Sequence, residues 1–221
     1  LNLAKYHNIH AVNMLPEKKY VFFALHYEHE RNTNPDGGIY HDQLIALLKL
    51  RSFLPKNITI VIKEHPTQIY HGERGPRGRS PLIYDILTQV EGVSLVRYDM
   101  DSVTIQKRAV FTASITGTAA LESAINGQKA IIFGNAWFKG CPNIINFDDI
   151  ESYTDFINIP IEKLDTIKTF FKNKMAKYCI PANQNRSAEI RNQNMTFKNF
   201  NQQQFAGLED LMTTFLLGGA G

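Results

Sequence analysis

The sequence predicts an α/β fold in which a Rossmann-like parallel sheet is flanked by helices. Short apolar runs alternate with segments whose apolar residues have helical spacing, which is typical of a parallel sheet with crossover helices. The strand candidates are almost continuously apolar, as expected for strands that are covered on both faces. With 221 residues, 43% hydrophobic and 20% charged, the chain is long enough to bury such a core.

Five strand candidates and the helices between them define the order of elements. Helical periodicity is clearest over residues 40–53, where a leucine-rich face ends at Leu54-Pro55. Ser80-Pro81 predicts a helix start with Ser80 as N-cap, and residues 102–107 fit a short helix. Most of the strand candidates are rich in β-branched and aromatic residues: Tyr20–Leu25, Ile58–Ile62, Val93–Val96, Ala109–Phe111 and Lys129–Phe133.

We expect three segments along the chain. Residues 1–18 show no clear periodicity and are expected to be a lead-in, whereas residues 19–150 carry the Rossmann-like pattern. Residues 151–221 are expected to form a C-terminal helical extension, with an amphipathic helix over 161–178 and a last helix over 203–217. Because the chain begins at Leu1 and enters a polar segment at once, we expect it to be part of a longer protein.

Bulk composition excludes several classes of protein. The net charge of +3 is too small to indicate a nucleic-acid partner. No apolar run approaches the roughly 20 residues of a membrane-spanning helix. Cys141 and Cys179 have neither the spacing of a metal site nor that of a disulfide framework, so we expect a reducing, cytoplasmic compartment.

The most informative segment is a hydroxyl-rich turn between the fourth strand candidate and a helix. Ser114, Thr116, Gly117 and Thr118 precede an alanine-rich helical run, and such a turn presents backbone N–H groups and the positive end of a helix dipole. We expect these residues to hold a phosphate and Glu122, one turn into the helix, to bind ribose or sugar hydroxyls. The alternative is an ordinary strand–helix turn in which Thr116 or Thr118 caps the helix.

A second polar strand end, Lys63-Glu64-His65-Pro66, occupies the same kind of position upstream. Polar groups at this point are expected to face a cleft beyond the carboxyl end of the sheet, where ligands of open α/β sheets bind. Pro66 favours an extended His65, whose imidazole could donate to a phosphate oxygen or protonate a leaving group. The alternative is a histidine that caps a helix or faces solvent.

The loop after the first strand contains two histidines and two carboxylates within His26-Tyr27-Glu28-His29-Glu30. This spacing matches no zinc signature, so we predict no metal site and favour contact with a sugar or an acceptor molecule.

Two further segments have open interpretations. The basic, glycine-rich segment 72–79 is either a solvated surface loop or a mobile clamp over an anion. Trp137 and Phe138 follow the fifth strand and either stack on a base or sugar or pack beneath the C-terminal helices.

Six motifs keep a fixed order between residues 21 and 142: Leu25-His26-Tyr27-Glu28-x-Glu30, Asp42-Gln43, Leu54-Pro55, Lys63-Glu64-His65-Pro66, Ser114-x-Thr116-Gly117-Thr118-Ala119-x-x-Glu122 and Gly127-x-x-x-Ile131-x-Phe133-Gly134. This ordered set resembles the capsule polysaccharide biosynthesis glycosyltransferases, which include bacterial Kdo transferases. It is also similar to the bacterial sialyl- and polysialyltransferases that carry a His-Pro motif. The sequence departs from the family pattern at His29, where proline is expected between the two glutamates.

The resemblance implies a GT-B architecture, of which residues 19–150 would be the nucleotide-sugar-binding half and a preceding domain would be missing. It implies a CMP-linked donor, such as CMP-Kdo or a CMP-sialic-acid-like sugar. Lys63, Glu64 and Pro66 would flank His65 in the donor site. By position in the motifs, His65, Ser114, Thr116, Gly117 and Thr118 would contact the nucleotide phosphate, and Glu122 would bind the ribose. The candidate catalytic residues are His65, Glu28 and Glu30.

The same resemblance implies transfer without a cofactor or a metal, to a glycan or glycolipid acceptor, in the synthesis of a bacterial surface polysaccharide. It is compatible with peripheral association of the full-length protein with the inner face of the bacterial membrane. Two alternatives stay open: a UDP-sugar 2-epimerase on the same fold, and a non-catalytic module that binds a nucleotide or a glycan.

Overall fold

A computed structural model describes residues 2–28, 33–70 and 74–178, together with two helical positions, 202 and 206. Within residues 2–178, short 3₁₀ helices at Gly38–His41 and Phe147–Asp149 accompany the following elements: α1 Leu3–His10, β1 Tyr20–Ala24, α2 Gln43–Phe53, β2 Thr59–Lys63, α3 Pro66–Tyr70, α4 Arg74–Gly78, α5 Leu82–Gln89, β3 Val93–Val96, α6 Ser102–Arg108, β4 Thr112–Ser114, α7 Thr118–Ile125, β5 Ala130–Ile132, β6 Ile144–Asn146, α8 Tyr153–Asn158 and α9 Leu164–Tyr178.

The described strands form one sheet of six parallel strands in the order β3-β2-β1-β4-β5-β6. This order is that of a Rossmann sheet, so the predicted fold class is confirmed. β2 and β3 are added on one side of β1, and β4, β5 and β6 are added on its other side, so the order in which strands are added reverses between β1 and β4. Ligands of such folds bind at this reversal, in the crevice outside the carboxyl ends of the strands.

Both faces of the sheet are buried, which explains the continuous apolar runs. On one face Val21 and Phe23 of β1 pack in the same cluster as Leu47 of α2. On the other face Tyr20 and Phe22 pack in a cluster that includes residues of α6. The Tyr20 hydroxyl donates to the carbonyl of Ile105 at 2.8 Å, which satisfies the one polar group that this strand buries.

Helix α2 shows how local signals set an element. Asp42 is its N-cap, and its carboxylate accepts a hydrogen bond from the Leu44 N–H at 2.9 Å. The helix ends at Phe53, just before Leu54-Pro55, as predicted. Its beginning differs from the prediction, because Gly38–His41 forms a separate 3₁₀ helix.

Four local features of the structure differ from the sequence predictions or were not predicted. The expected lead-in contains α1, which is held by buried Leu3 and His7. The fourth strand lies at Thr112–Ser114 rather than 109–111, because Phe22 and Phe23 of β1 pair with Thr112 and Ala113. β6 is only three residues long and was missed. Helix α5 begins at Leu82, one residue later than predicted, although the Ser80 hydroxyl still accepts from the Leu82 N–H at 3.3 Å.

The chain divides into two compact units, residues 1–167 and 168–221. The first contains the whole sheet. In the second, Phe170 and Phe171 of α9 contact edge to face. The predicted last helix, 203–217, lies outside the described residues apart from position 206, and the division into three segments stays a prediction. No helix among the described residues has the length and apolar character needed to cross a bilayer.

Candidate functional site

A cavity of about 390 Å³ opens at the carboxyl ends of β1, β2 and β4, where the strand order reverses. Every residue predicted to bind the donor lines it: Lys63, Glu64, His65, Pro66, Ser114, Thr116, Gly117, Thr118 and Glu122. The two motifs are distant in the sequence and meet here because parallel strands end at one edge of the sheet. The lining also includes His26, Tyr27, Ser102 and Trp137.

The turn after β4 is closed by hydrogen bonds of its own. The Ser114 hydroxyl accepts from the Gly117 N–H at 3.2 Å and lies 3.0 Å from His26 Nε2. The Thr116 N–H donates to the same Nε2 at 3.2 Å. Ser114 and His26 therefore hold the turn in shape, and the predicted contact of the Ser114 hydroxyl with a phosphate stays a prediction.

Gly117 is required by close packing within this turn. A Cβ on Gly117 would lie 2.6 Å from Ser114 Oγ and 3.2 Å from His26 Cε1. Its φ of −74° is ordinary, so space rather than backbone freedom requires a glycine. Gly117 is also the N-cap of α7 and has no side chain to cap with, so the alternative of a threonine cap is wrong.

The beginning of α7 offers donors to an anion. Among the described residues, the N–H groups of Thr118 and Ala119 have no hydrogen-bond partner, whereas the Ala120 N–H donates to the Gly117 carbonyl at 3.1 Å. The positive end of the helix dipole lies at the same point. Glu122 lies one turn further along, where its carboxylate accepts from the Thr118 hydroxyl at 3.4 Å. This arrangement can bind an anion next to a hydroxyl-bearing group.

His26 is a neutral acceptor at this site. Its pKa is lowered to about 4, chiefly by burial and to a lesser extent by electrostatic repulsion from His65 and Arg79. Since the Thr116 N–H donates to Nε2, the hydrogen-bond network assigns the ring proton to Nδ1. His26 follows β1, and only the pairing of β1 with β4 brings it to the turn. The sequence pattern had suggested contact with a sugar or acceptor for this segment, not support of the turn.

His65 is exposed at the mouth of the cavity. Its Nδ1 accepts from the Thr67 N–H at 3.2 Å, which leaves Nε2 as the ring nitrogen that carries the proton. Pro66 begins α3 directly after it, so the first turn of that helix orients the ring. This geometry equips His65 to donate a hydrogen bond into the cavity.

Lys63 is buried at the end of β2, and its ammonium donates to the Ser102 hydroxyl at 2.9 Å. Burial lowers the pKa of Lys63, while the nearby carboxylates of Asp101 and Asp99 oppose the change. The ammonium places a positive charge in the wall of the cavity that the β4 turn also lines.

Glu64 is fully buried and belongs to an ion pair that the sequence pattern missed. Arg79, 4% exposed, lies with Nε 3.1 Å from Glu64 Oε2 and donates from a terminal nitrogen to the His26 carbonyl at 2.5 Å. The Tyr84 hydroxyl donates to Glu64 Oε2 at 2.9 Å. Burial raises the pKa of the Glu64 carboxyl, and Arg79 and Tyr84 oppose this rise.

The described part of the basic segment, residues 74–79, is therefore not simply a surface loop or a clamp. Residues 74–78 form α4, and Gly75 packs so closely on α3 that a Cβ would lie 1.9 Å from the Gln68 carbonyl oxygen. Arg77 is exposed, whereas Arg79 is buried. A fully buried carboxylate at position 64 calls for a cationic partner, but the burial of Glu64, and with it the role of Arg79, is set by the tertiary structure.

Glu28, the described one of the two predicted catalytic carboxylates, is not among the residues that line the cavity. Glu28 accepts a short hydrogen bond from Gln43 Nε2 and lies 3.5 Å from Arg79 Nη1. Its backbone N–H donates to Gln68 Oε1 at 2.8 Å. Glu30 lies outside the described residues, and a catalytic role for either glutamate stays a prediction. No cluster of three or more metal-ligating side chains occurs in the part of the chain that the structure describes.

Comparisons with known proteins give partial similarities. No protein-family model matches the chain, and no curated protein does. Among solved structures, Thermosulfurimonas dismutans KpsC, a β-Kdo 2,7 transferase, shares 15% identity over 76% of this chain and 50% of its own length, with a TM-score of 0.46. The KpsC β-Kdo 2,4 transferase from the same organism gives 15% identity, 76% and 51% coverage and a TM-score of 0.47.

A third solved structure, UDP-GlcNAc 2-epimerase from Neisseria meningitidis bound to UDP-GlcNAc, shares 18% identity over 79% of this chain and 47% of its own length, with a TM-score of 0.43. The chain spans about half the length of these three proteins. At such identities and TM-scores the likeness identifies neither a family nor a function for this chain.

Proposed function

We propose that the cavity binds the nucleotide part of a nucleotide-activated sugar, and that the chain is the donor-binding part of a glycosyltransferase. The observation that carries the proposal is the convergence of both predicted motifs, 63–66 and 114–122, on one cavity at the reversal point of a Rossmann sheet. Nucleotides bind at this point in many unrelated α/β proteins.

The phosphate would lie at the start of α7. The N–H groups of Thr118 and Ala119, the helix dipole and the ammonium of Lys63 together supply donors and positive charge. Glu122, one helical turn away, would accept hydrogen bonds from the ribose. These residues supply positive charge without a metal, so we propose metal-independent binding.

Transfer would depend on positioning and on stabilising the departing phosphate. The Nε2–H of His65 would donate to a phosphate oxygen as negative charge develops on the leaving group, and the helix N-terminus would share that charge. We propose a CMP-linked acidic sugar of the Kdo or sialic-acid type as donor, because the motif order resembles the enzymes that use such donors. The acceptor, a glycan or glycolipid of a surface polysaccharide, would be bound with the help of a preceding domain.

Calorimetric titration of the 221-residue chain with CMP, CDP and UDP tests the proposal. We expect saturable binding with a preference for CMP, and a loss of roughly 10-fold in affinity in His65→Ala, since one hydrogen bond to a charged group is removed. His41→Ala is the matched control, because His41 is an exposed histidine that does not line the cavity. Absence of nucleotide binding, or equal affinities of His65→Ala and wild type, would overturn the assignment of the donor site.

Activity of the full-length protein separates the two alternatives. Release of an epimerised or hydrolysed sugar from a UDP-sugar without any acceptor would contradict glycosyl transfer and favour an epimerase. CMP binding without turnover in the full-length protein would instead favour a non-catalytic binding module.

A further inference from the structure

Trp137 is the single tryptophan of the chain, and the donor site described above leaves it without a role. Its side chain is 61% exposed and lines the same cavity as the β4 turn and Glu122. An isolated exposed aromatic residue is ordinary on a protein surface. An exposed indole in the wall of a ligand-sized cavity, however, offers a flat apolar face to whatever binds there.

The loop that carries Trp137 is anchored on both sides. Before it, the Asn135 N–H donates to the Asp36 carbonyl at 2.7 Å, and after it, the Cys141 N–H donates to the Phe138 carbonyl at 3.0 Å. Phe138 is fully buried and contacts the indole edge to face, with ring centroids 5.4 Å apart. The sequence left open whether Trp137 and Phe138 stack or pack. The structure assigns packing to Phe138 and exposure to Trp137.

The position of Trp137 complements the polar groups of α7. Because β5 is the neighbour of β4, the loop after β5 lies beside the turn after β4. Thr118, at the phosphate end of the proposed site, and Glu122 are one helical turn apart, about 5.4 Å along the axis. A nucleotide likewise carries its ribose hydroxyls a few bonds away from its phosphate, with the base beyond them.

We propose that Trp137 is the platform on which the nucleobase of the ligand stacks, so that the site selects a nucleotide over a sugar phosphate. This inference rests on the proposed nucleotide-sugar function and adds the part of the ligand that the polar residues do not recognise. Stacking suits this task because every base has a π-face, and it contributes to affinity at exposed aromatic platforms. A sugar ring packed on the indole would use the same face, and the choice of ligands below separates the two.

Fluorescence of the single tryptophan reports the contact directly. The full chain is titrated with CMP, UMP, ribose 5-phosphate and free sialic acid, with excitation at the red edge of indole absorbance to limit absorption by the bases. We expect saturable quenching by CMP and UMP and none by ribose 5-phosphate or sialic acid. Equal quenching by ribose 5-phosphate or by the free sugar would overturn the proposal.

Calorimetry on variants provides the second measurement. We expect Trp137→Ala to weaken CMP binding about 10-fold while leaving the weaker affinity for ribose 5-phosphate unchanged, and Trp137→Phe to recover most of the loss. Tyr70→Ala is the matched control, since Tyr70 is an exposed aromatic residue that does not line the cavity.

The outcomes distinguish this inference from the proposed function. If wild type binds CMP and Trp137→Ala binds it equally well, the stacking platform is wrong and the donor site stands. If wild type binds no nucleotide, both are wrong. Trp137 is mostly exposed, so we expect Trp137→Ala to keep the melting temperature of wild type.

Discussion

The two walls of the cavity are built in different ways. The wall after β4 presents backbone N–H groups at the start of α7, and Ser114 and His26 hold the turn that precedes them. The wall after β2 presents the side chains of Lys63 and His65, next to a Glu64 that is buried against Arg79.

Because one wall uses backbone N–H groups and the other uses charged side chains, the two walls should respond differently to pH and to substitution. Backbone N–H groups do not titrate, so their partial positive charge is the same at every pH, and most side-chain substitutions leave them in place provided that the turn has room to close. Charged side chains respond to pH and to the loss of a partner, because an unpaired charge in a buried position is strongly destabilising. The β4 wall is therefore expected to be sensitive to volume and, through His26, to acid, whereas the β2 wall is expected to be sensitive to the loss of a charged partner.

The largest effect is expected from Arg79→Met. Removing the guanidinium leaves the buried Glu64 carboxylate without its cation, which should lower the free energy of unfolding by about 3–5 kcal/mol. Chemical denaturation measures the change. Arg97→Met is the matched control, because Arg97 pairs with Asp99 at the surface and its loss should change the free energy of unfolding little. The double variant Arg79→Met/Glu64→Gln should regain part of the lost free energy of unfolding, because it no longer buries an unpaired charge. Equal losses of stability in Arg79→Met and Arg97→Met would contradict a buried ion pair between Arg79 and Glu64.

The next largest effect is expected in the pH dependence of the free energy of unfolding, to which His26 contributes. The folded protein keeps this imidazole neutral to a pKa of about 4, whereas the unfolded chain protonates it near its ordinary pKa of 6.5. The unfolded state therefore binds more protons in this window, and stability should fall by up to about 3 kcal/mol as the pH drops from 6.5 to 4.

Substitution isolates this contribution of His26. Burial also lowers the pKa of His7, so wild type contains a second loss of the same sign. His26→Gln should show a shallower decline of the unfolding free energy with acid than wild type, and exposed His41→Gln should not. An unchanged slope in His26→Gln would show that His26 is not held neutral.

Gly117→Ala tests the volume sensitivity of the β4 wall. The new methyl group would lie 2.6 Å from Ser114 Oγ, and such overpacking typically lowers stability by about 1–3 kcal/mol. We also expect weaker CMP binding, because the N–H groups at the start of α7 would move. Ser114→Ala/Gly117→Ala removes the clashing hydroxyl, so its melting temperature should lie above that of Gly117→Ala. If Gly117→Ala melts like wild type, the turn has more room than the structure indicates.

The smallest effect is expected from Glu122→Gln. A neutral amide should accept ribose hydrogen bonds less well than a carboxylate, which should reduce the preference for CMP over 2′-deoxy-CMP by roughly 5-fold. Calorimetry with both ligands gives the ratio. Glu91→Gln, at the opposite edge of the sheet before β3, should leave the ratio unchanged. The ribose assignment would be wrong if Glu122→Gln kept the wild-type ratio.

Much of the sheet could be predicted because its signals are local. The apolar runs of β1 and β2 and the capped start of α2 depend on neighbours in the sequence. The position of β4 was predicted three residues too early because its buried residues include Thr112 and Ser114, whose polarity resembles that of a turn. Pairing with β1 on one side and β5 on the other decides that this segment is a strand.

In the candidate site, too, the features that depend on local sequence could be predicted and those that depend on distant contacts could not. Residues 63–66 and 114–122 could be predicted to meet, because parallel strands end at the same edge of a sheet. The roles of His26 and Arg79 could not be predicted, because each depends on partners that are distant in the sequence, Ser114 for His26 and Glu64 for Arg79. The glycines near Arg79 suggested a flexible loop, whereas Gly75 serves close packing.

The sequence by itself determined the alternation of strands and helices and the polar strand ends, since hydrophobic periodicity and turn residues act over a few positions. Only the tertiary structure decided which polar groups form hydrogen bonds or ion pairs with one another and which face the cavity. It commits Ser114 and His26 to the turn and Arg79 to Glu64, and it leaves the N–H groups of Thr118 and Ala119 without partners among the described residues. The physical reason is that a buried polar group must find a partner, and the strand order rather than the sequence brings that partner within reach.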